Sequence, residues 1–504
     1  MAARGTMTSH CGPAGRAVGD LLLAGLLLIA VTASPRAGWA DVAGGTKAYA
    51  DGDFAQAHRL LLPHAEGGDA ESQYYLGLMY AYGNGVAKDA AQSAEWYRRA
   101  AEQGYSLAQV NLGLLYHQGI GVARDTAVAR QWYERAAAQD EPWAIYRLGL
   151  LHQVGDGVPQ DYARAAELYL RAADLGVADA QVDLGVLYAD GKGVAKDLNE
   201  SRQLFEQAAA LGNNQAEFNL GYMYHQGMGV PRDFSLAAQW YGRAANNGNA
   251  GAQVELAVLY SSGQGVPKDL DRSRQWFERA AAQGVAHAEY SLGIIHQRGM
   301  GVAQDYQKAA QWYRQAAARG HGNAQNELGV LYSQGLGVAK DLDEARAWFE
   351  RSADQGVAMA QHNLGAMYSD GTGVEQDYAK AAHWLDLAAA QGHTTAQARL
   401  GVLYHDGLGV EQDYKMAAKW CADSAQANDA LGQSCLAILY YSGHGVAEDY
   451  VLSYMWGTLA VEQLPSSDAR DQAVNALRRL EQWHLSDDEI EKAQKMARDW
   501  KSMQ

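Results

Sequence analysis

The sequence of 504 residues has only three cysteines and eight prolines, and its 41 basic residues are outnumbered by 58 acidic ones. Three cysteines are too few for a scaffold held together by several disulfides. The acidic excess, a net charge of −17, argues against nucleic acid and anionic membrane as main partners. Hydrophobic residues still make up 48% of the chain, which is too many for a disordered protein. The composition therefore predicts a folded, acidic protein.

Long hydrophobic runs are also missing. The apolar run near the N-terminus, Leu21 to Val31, is shorter than the roughly 18 residues of a membrane span. It follows two arginines and precedes the small residues Gly38 and Ala40, an order typical of a secretory signal peptide. We predict cleavage after Ala40, with Ala33 as the alternative site and an uncleaved anchor as the other interpretation. A cleaved signal over residues 1–40 predicts a periplasmic or secreted protein that is not inserted in the membrane.

Glycine, by contrast, is abundant, with 55 residues, and most of them recur at a fixed spacing. The motif G-x-G-V-x-x-D occurs eleven times, and consecutive copies lie 36 residues apart. Its first glycines are Gly83, Gly119, Gly155, Gly191, Gly227, Gly263, Gly299, Gly335, Gly371, Gly407 and Gly443. A constant period of this length indicates one array of structural repeats rather than several globular domains.

Each period predicts two short helices joined by a glycine turn. In residues 180–212, apolar residues before and after the turn keep the i, i+4, i+7 spacing of a helix face. Asp197 stands where a helix N-cap belongs, because its carboxylate can accept hydrogen bonds from free backbone N–H groups. Gly212 stands where a glycine commonly follows a helix C-terminus.

Two further columns of residues follow the same period. A glycine inside the first helix of nine repeats should cost about 1 kcal/mol relative to alanine, so we expect another helix to cross closely there. Aromatic residues of the second helices are expected to form the core. The glycines are Gly77, Gly113, Gly149, Gly185, Gly221, Gly293, Gly329, Gly365 and Gly401, and the aromatic residues run from Trp96, Tyr97, Trp132 and Tyr133 to Trp348 and Phe349.

The pattern A-x-x-x-L-G-x-x-Y-x-x-G-x-G-V-x-x-D, followed by A-x-x-W-Y-x-x-A-A-x-x-G, resembles the Sel-1-like repeat family, relatives of tetratricopeptide repeats, over about residues 44–460. The resemblance implies an all-α fold: a right-handed α-solenoid of about twelve stacked helix-turn-helix repeats of period 36. It implies a solenoid over residues 41–460 and capping helices over residues 461–504. It also implies a scaffold or adaptor, with envelope signalling and exopolysaccharide regulation among the family's roles. Together with the signal peptide and the absence of catalytic motifs, this predicts an exported, non-catalytic scaffold.

Candidate partner-binding residues lie one position before the buried leucine of each first helix. In related helical repeats the first helix lines the concave face of the solenoid, where a polar column can bond a partner chain. The alternative is a solvated helix face. The column consists of Asn111, Arg147, Asp183, Asn219, Glu255, Ser291, Glu327, Asn363 and Arg399. We predict a protein partner with a basic surface, or the exposed domain of an envelope protein, and leave the oligomeric state open.

Motifs for chemistry are absent from the sequence. It contains no H-E-x-x-H motif or Cys/His cluster, and a predicted helix, not a strand, precedes every G-x-G turn. We therefore predict no catalytic, metal-binding or cofactor-binding residues.

Cys421 and Cys435, 14 residues apart, could form a disulfide in an exported protein, but spacing alone does not establish the required geometry. A cysteine-rich branch of the family has been linked to β-lactam binding and hydrolysis. Its paired cysteines lie eight residues apart in each repeat, and the single pair of this chain departs from that pattern. A β-lactam or cell-wall hydrolase is one alternative function. A polysaccharide-binding scaffold is another.

Overall fold

The computed structural model describes residues 39–464 and 468–503, which contain 26 α-helices and no β-strand. They form two compact units, one up to Asp269 and one from Leu270 onwards. The predicted signal segment, residues 1–40, lies outside the described residues except for its last two, which begin the first helix. The all-helical architecture of about twelve helix-turn-helix repeats is confirmed.

Unit 1 begins with a short helical hairpin and continues with alternating first and second helices of 12 or 13 residues. The helices of unit 1 are α1 (Trp39–Ala50), α2 (Phe54–Glu66), α3 (Ala70–Tyr82), α4 (Ala90–Glu102), α5 (Ser106–Gln118), α6 (Thr126–Ala137), α7 (Pro142–Val154), α8 (Tyr162–Asp174), α9 (Ala178–Asp190), α10 (Leu198–Ala210), α11 (Asn214–Gln226), α12 (Phe234–Asn246) and α13 (Ala250–Ser262). The first helices of the repeats are the odd-numbered ones from α3 to α23.

Unit 2 begins with a second helix, continues with five helical hairpins and ends with two capping helices. The helices of unit 2 are α14 (Leu270–Ala282), α15 (Ala286–Arg298), α16 (Tyr306–Ala318), α17 (Gly322–Gln334), α18 (Leu342–Asp354), α19 (Ala358–Asp370), α20 (Tyr378–Ala390), α21 (Thr394–Asp406), α22 (Tyr414–Gln426), α23 (Ala430–Ser442), α24 (Tyr450–Gln463), α25 (Asp468–Trp483) and α26 (Asp487–Met503).

The loop between the two helices of a repeat shows why its motif is so regular. In the α9–α10 loop, Gly191 ends the first helix with a φ of 72°, a left-handed conformation that glycine adopts without steric cost. A Cβ at Gly193 would overlap the backbone carbonyl of Tyr162 in the preceding repeat. Asp197 then caps the second helix by accepting hydrogen bonds from the N–H groups of Asn199 and Glu200. The two glycines and the aspartate of the motif therefore each have a distinct structural role.

The first and second helices of a repeat cross closely at the first-helix glycine. A Cβ on Gly221 would lie 2.5 Å from the ring of Tyr241, and a Cβ on Gly185 would lie 2.6 Å from the ring of Phe205. These aromatic side chains are fully buried. The predicted close crossing is confirmed, and the crossing partner is the ring of the same repeat's second helix.

A buried glutamine joins three helices in several repeats, a feature that the sequence pattern did not reveal. Gln109 on α5 donates a hydrogen bond from Nε2 to the carbonyl of Ala101, at the end of the preceding second helix, at 3.0 Å. Its Oε1 accepts a hydrogen bond from Gln139, at the end of its own second helix, at 3.0 Å. Gln361 makes the same two bonds in unit 2. A buried amide with both ends satisfied links adjacent repeats in a defined register.

The C-terminal helices close the apolar end of unit 2. Ala493 and Ala497 of α26 are buried against α24, and the rings of Trp500 and Trp456 pack edge to face with centroids 5.6 Å apart. Such a cap is required where a stack of repeats ends. Within the described residues, no helix has the length and apolar content of a membrane span.

We expect alanine substitutions at two glycines of the α11–α12 hairpin to act in opposite directions. Gly221→Ala should destabilise the protein by about 1–3 kcal/mol, because the new methyl group overlaps the ring of Tyr241. Gly242→Ala should stabilise it by about 0.5–1 kcal/mol, because an added Cβ at this helical position meets nothing within 4 Å. Urea unfolding of the full chain measures both values. Equal effects of the two variants would contradict the close crossing.

Candidate partner-binding face

The predicted polar column lies deeper in the structure than a solvated helix face would. Asp183 and Asn219 have no solvent exposure and Glu255 is only 8% exposed. The other members, Asn111, Arg147, Ser291, Glu327, Asn363 and Arg399, are half-buried. Because no solvent reaches Asp183 and Asn219, a partner docking on the folded surface cannot contact their side chains. The solvated-face alternative is therefore wrong for these two residues, and only the half-buried members can contribute to a surface.

Hydrogen bonds and ion pairs connect the column to the first helix of the preceding repeat. Asp183 Oδ2 accepts a hydrogen bond from the hydroxyl of Tyr146 at 2.9 Å. In unit 2, Asn363 donates to Oδ1 of Asn326 at 3.0 Å. Similar links pair Gln297 with Glu327 and Asp370 with Arg399. The column therefore holds neighbouring repeats together, in addition to any role in binding.

Glu255 is the most electrostatically perturbed member of the column. Burial raises its carboxyl pKa from 4.5 to about 7, because a charged carboxylate loses hydration in this site. Nδ1 of His225 lies 3.7 Å from Oε2 of Glu255, and burial lowers the pKa of that imidazole. Both shifts favour the neutral forms of this pair, so part of the Glu255 carboxyl population is protonated at neutral pH, and the pair is a weak source of charge for recognising a partner.

Exposed apolar side chains on the first helices are a feature that sequence reasoning missed. Val154, at the end of α7, is 57% exposed, and Tyr82, at the end of α3, is also exposed. In unit 2 the exposed apolar residues of first helices are Met359, Leu431, Ile438 and Tyr441. The position that precedes the loop glycine is polar in most repeats, so Tyr82 and Val154 depart from their own column. That departure from the polar pattern is the sequence signal that could have identified these two exposed residues.

Cys421 and Cys435 are joined by a disulfide that links α22 to α23, with Cα atoms 5.8 Å apart. Cys421 occupies the position of the buried ring in its repeat, next to Gly401, and Cys435 occupies the polar column. Both side chains are buried.

Within the described residues, no group of three or more His, Cys, Asp or Glu side chains is arranged to hold a metal ion. Burial lowers the pKa of His152 and of His296, and Nδ1 of each ring is buried without a hydrogen-bond partner.

Eleven segments of the chain match the Sel1 repeat, at residues 70–105, 106–141, 144–177, 178–213, 214–249, 250–285, 286–321, 322–357, 358–393, 394–429 and 425–463. The chain belongs to the Sel1 repeat family. This membership confirms the resemblance seen in the sequence motifs. Sel1 solenoids are scaffolds that typically bind protein partners, and the family is generally non-catalytic.

Two solved Sel1 structures are similar to this chain. The crystal structure of c5321, a protective antigen of uropathogenic Escherichia coli with an SLR fold, is 37% identical, with a TM-score of 0.70. That match covers 88% of this chain and 94% of the antigen. A Sel1 repeat protein from Oxalobacter formigenes is 35% identical, with a TM-score of 0.46, over 48% of this chain and 96% of that protein. Comparison with curated proteins gives no match.

We expect the variant Glu255→Gln to stabilise this Sel1 protein in a pH-dependent way. A carboxyl whose pKa is raised on folding stabilises the native state below its unfolded pKa, and this stabilisation is lost as the pH rises through about 7. The variant should therefore exceed the wild type in unfolding free energy at pH 8.5, by on the order of 2 kcal/mol, and differ little at pH 4.5. Urea unfolding at the two pH values measures the difference. A difference independent of pH would contradict the assignment.

We also expect the two cysteines of the Sel1 array to resist alkylation in the oxidised, unfolded protein and to react fully after reduction. Mass spectrometry of the peptides that contain Cys421 and Cys435 measures this directly. Cys435→Ser should lower the unfolding free energy by about 3 kcal/mol, because the disulfide closes a loop of roughly 15 residues in the unfolded chain. Free thiols in protein purified from an oxidising compartment would contradict the pairing.

Proposed function

We propose that this protein is an exported, non-catalytic scaffold and that the face formed by its first helices binds a protein partner. The observation that carries the proposal is that first helices combine exposed apolar side chains with half-buried polar ones, such as Val154 and Arg147 of α7. Exposed apolar anchors beside polar groups are typical of protein interfaces. Repeats held in register by buried side chains give a preorganised surface, which reduces the entropic cost of binding.

Export is supported by three independent features. The first 40 residues have the pattern of a secretory signal. The disulfide between Cys421 and Cys435 suits an oxidising compartment. Sel1 proteins are often exported, and the similar E. coli protein is a protective antigen. We therefore propose that the scaffold acts in the periplasm or outside the cell, where envelope signalling and exopolysaccharide regulation are the roles to test.

The net charge of −17 favours a partner with a basic surface, because complementary charge accelerates association and disfavours acidic competitors. The first helices themselves carry carboxylates that solvent reaches, including Glu71 on α3 and Asp190 on α9. A domain of an envelope protein with a basic face would complement both the net charge and these exposed carboxylates.

We expect two lysine substitutions in the α7–α8 hairpin to separate binding by first helices from binding elsewhere. Val154 and Leu170 are exposed to a similar degree, 57% and 50%, but Val154 is on the first helix and Leu170 on the second. Val154→Lys should reduce partner recovery at least tenfold, because it removes an apolar contact and adds a charge that repels a basic partner. Leu170→Lys should leave recovery unchanged. In-cell crosslinking followed by purification and quantitative mass spectrometry measures recovery.

A second pair of variants tests the polar column itself. Arg147→Glu changes the column in α7, and Arg164→Glu changes a surface arginine of α8 that pairs with Glu167 at 2.6 Å. Only Arg147→Glu should alter recovery. The proposal fails if no protein is recovered with the wild type, or if the second-helix variants are the ones that lose it.

The hydrolase alternative has a direct test. While the disulfide is intact, neither Cys421 nor Cys435 offers a free thiolate as nucleophile. Turnover of nitrocefin by the purified protein above the buffer rate, lost in Cys421→Ser, would overturn the non-catalytic part of the proposal. Glycan-array binding by the wild type without a protein partner would favour a polysaccharide-binding scaffold instead.

A further inference from the structure

Two histidines from neighbouring repeats of unit 2 face each other beside a glycine loop. His405 is the penultimate residue of α21, and His444 lies in the loop that follows α23, between Gly443 and Gly445. Nε2 of His405 is 3.1 Å from Nδ1 of His444. In most other repeats the middle residue of this loop is apolar or an amide, so a pair of imidazoles here is a departure from the repeat.

Other side chains fix the orientation of both rings. Oδ1 of Asp406 lies 2.6 Å from Nδ1 of His405, so Nδ1–H donates a hydrogen bond to the carboxylate. The other ring nitrogen of His405, Nε2, then carries a lone pair. The ring of Tyr414 stacks on His444, with centroids 4.1 Å apart and planes at 17°. Stacking covers the face of the imidazole and leaves the nitrogens in its plane accessible.

The distance between the two nitrogens matches the requirement of a shared metal ion. Imidazole nitrogens bind Zn²⁺ at about 2.0–2.1 Å, so two ligands at angles between square and tetrahedral lie about 2.9–3.3 Å apart. The observed 3.1 Å is within that range. A carboxylate on the other nitrogen of a metal-binding histidine is a recurrent arrangement that orients the ring and raises its basicity. The side chain of His405 is 24% exposed, so ions and water reach the pair.

We propose that His405 and His444 bind one divalent transition-metal ion such as Zn²⁺ or Cu²⁺, with water completing its coordination. Imidazole nitrogens select this class of ion over Mg²⁺ and Ca²⁺, which prefer oxygen ligands. Binding replaces the hydrogen bond between the two rings. The proton on Nδ1 of His444 moves to its Nε2, so neutral His444 becomes a ligand without net proton release. The proton on Nδ1 of His405 stays on that nitrogen and remains hydrogen-bonded to Asp406.

Unit 1 contains a pair of side chains at the corresponding positions that is not suited to binding a metal ion. His117 has the position of His405 in its own repeat, and the loop residue that corresponds to His444 is Asp156. Nε2 of His117 is 3.0 Å from Oδ2 of Asp156, and that same carboxylate oxygen accepts a hydrogen bond from Arg124 at 2.9 Å. The guanidinium already neutralises the carboxylate and repels a cation. The His117 pair therefore serves as the internal control.

The test is titration of the full chain, without any added histidine tag, with ZnCl₂ in an isothermal titration calorimeter at pH 7.5. We expect one Zn²⁺ per chain. His405→Ala and His444→Ala should each weaken binding at least tenfold, and Asp406→Asn about tenfold, since it acts only through His405. His117→Ala should leave binding unchanged, and MgCl₂ should produce no binding. Far-UV circular dichroism shows whether each variant retains its helices.

Four results would overturn the proposal: no Zn²⁺ binding by the wild type, unchanged binding in His444→Ala, loss of binding in His117→Ala, or equal affinity for Mg²⁺. A second measurement does not depend on variants. Electron paramagnetic resonance of the protein with one equivalent of Cu²⁺ should show coupling to imidazole nitrogens, and a spectrum without nitrogen coupling would contradict the site.

Discussion

The close crossing of the two helices in each repeat is the constraint on which the rest of the structure depends. In most repeats a glycine of the first helix lies against a buried ring of the second, as at Gly221 and Tyr241. Each glycine costs about 1 kcal/mol of helix propensity, and the buried ring offsets this cost through its large apolar area. In the last hairpin, α23–α24, the smaller of the two crossing residues is on the second helix instead of the first. Ala437 stands at the position of the glycine, and the second helix provides Gly457, whose added Cβ would be 3.9 Å from Ala437.

This crossing also determines which residues can bind a partner. With the second helix packed against one side and neighbouring first helices alongside, most residues of each first helix are buried or half-buried. Polar residues in the middle of the helix, such as Asp183 and Asn219, are bonded within the protein instead of facing solvent. The side chains that a partner or an ion can reach lie mainly at the helix ends and in the loops. Val154, Tyr82 and His444 belong to these positions.

The sequence predicts features that depend on local geometry or on the period. The two helices, the aspartate cap at Asp197, the glycine turn and the close crossing all follow from side-chain size and backbone preference at repeated positions. The burial of the polar column does not follow from them. Asp183 is bonded to Tyr146, 37 residues earlier, and only the stacking of repeats brings the two together.

The same limit explains two other features. A glutamine such as Gln109 reads as a surface residue, because its burial depends on a carbonyl at the end of another helix. His405 and His444 belong to a helix and a loop of different repeats, 39 residues apart, so helical spacing within one repeat does not connect them. Contacts between repeats thus account for what sequence periodicity misses, in both the fold and the candidate site.

A double-mutant cycle between residues 221 and 241 tests the central constraint most directly. The unfolding free energies of the wild type, Gly221→Ala, Tyr241→Ala and the double variant give the coupling energy between the two positions. If the ring of Tyr241 is what excludes a Cβ at residue 221, Gly221→Ala should be destabilising in the wild type and neutral or stabilising in the Tyr241→Ala background, a coupling of at least about 1 kcal/mol. The same cost in both backgrounds would contradict the account.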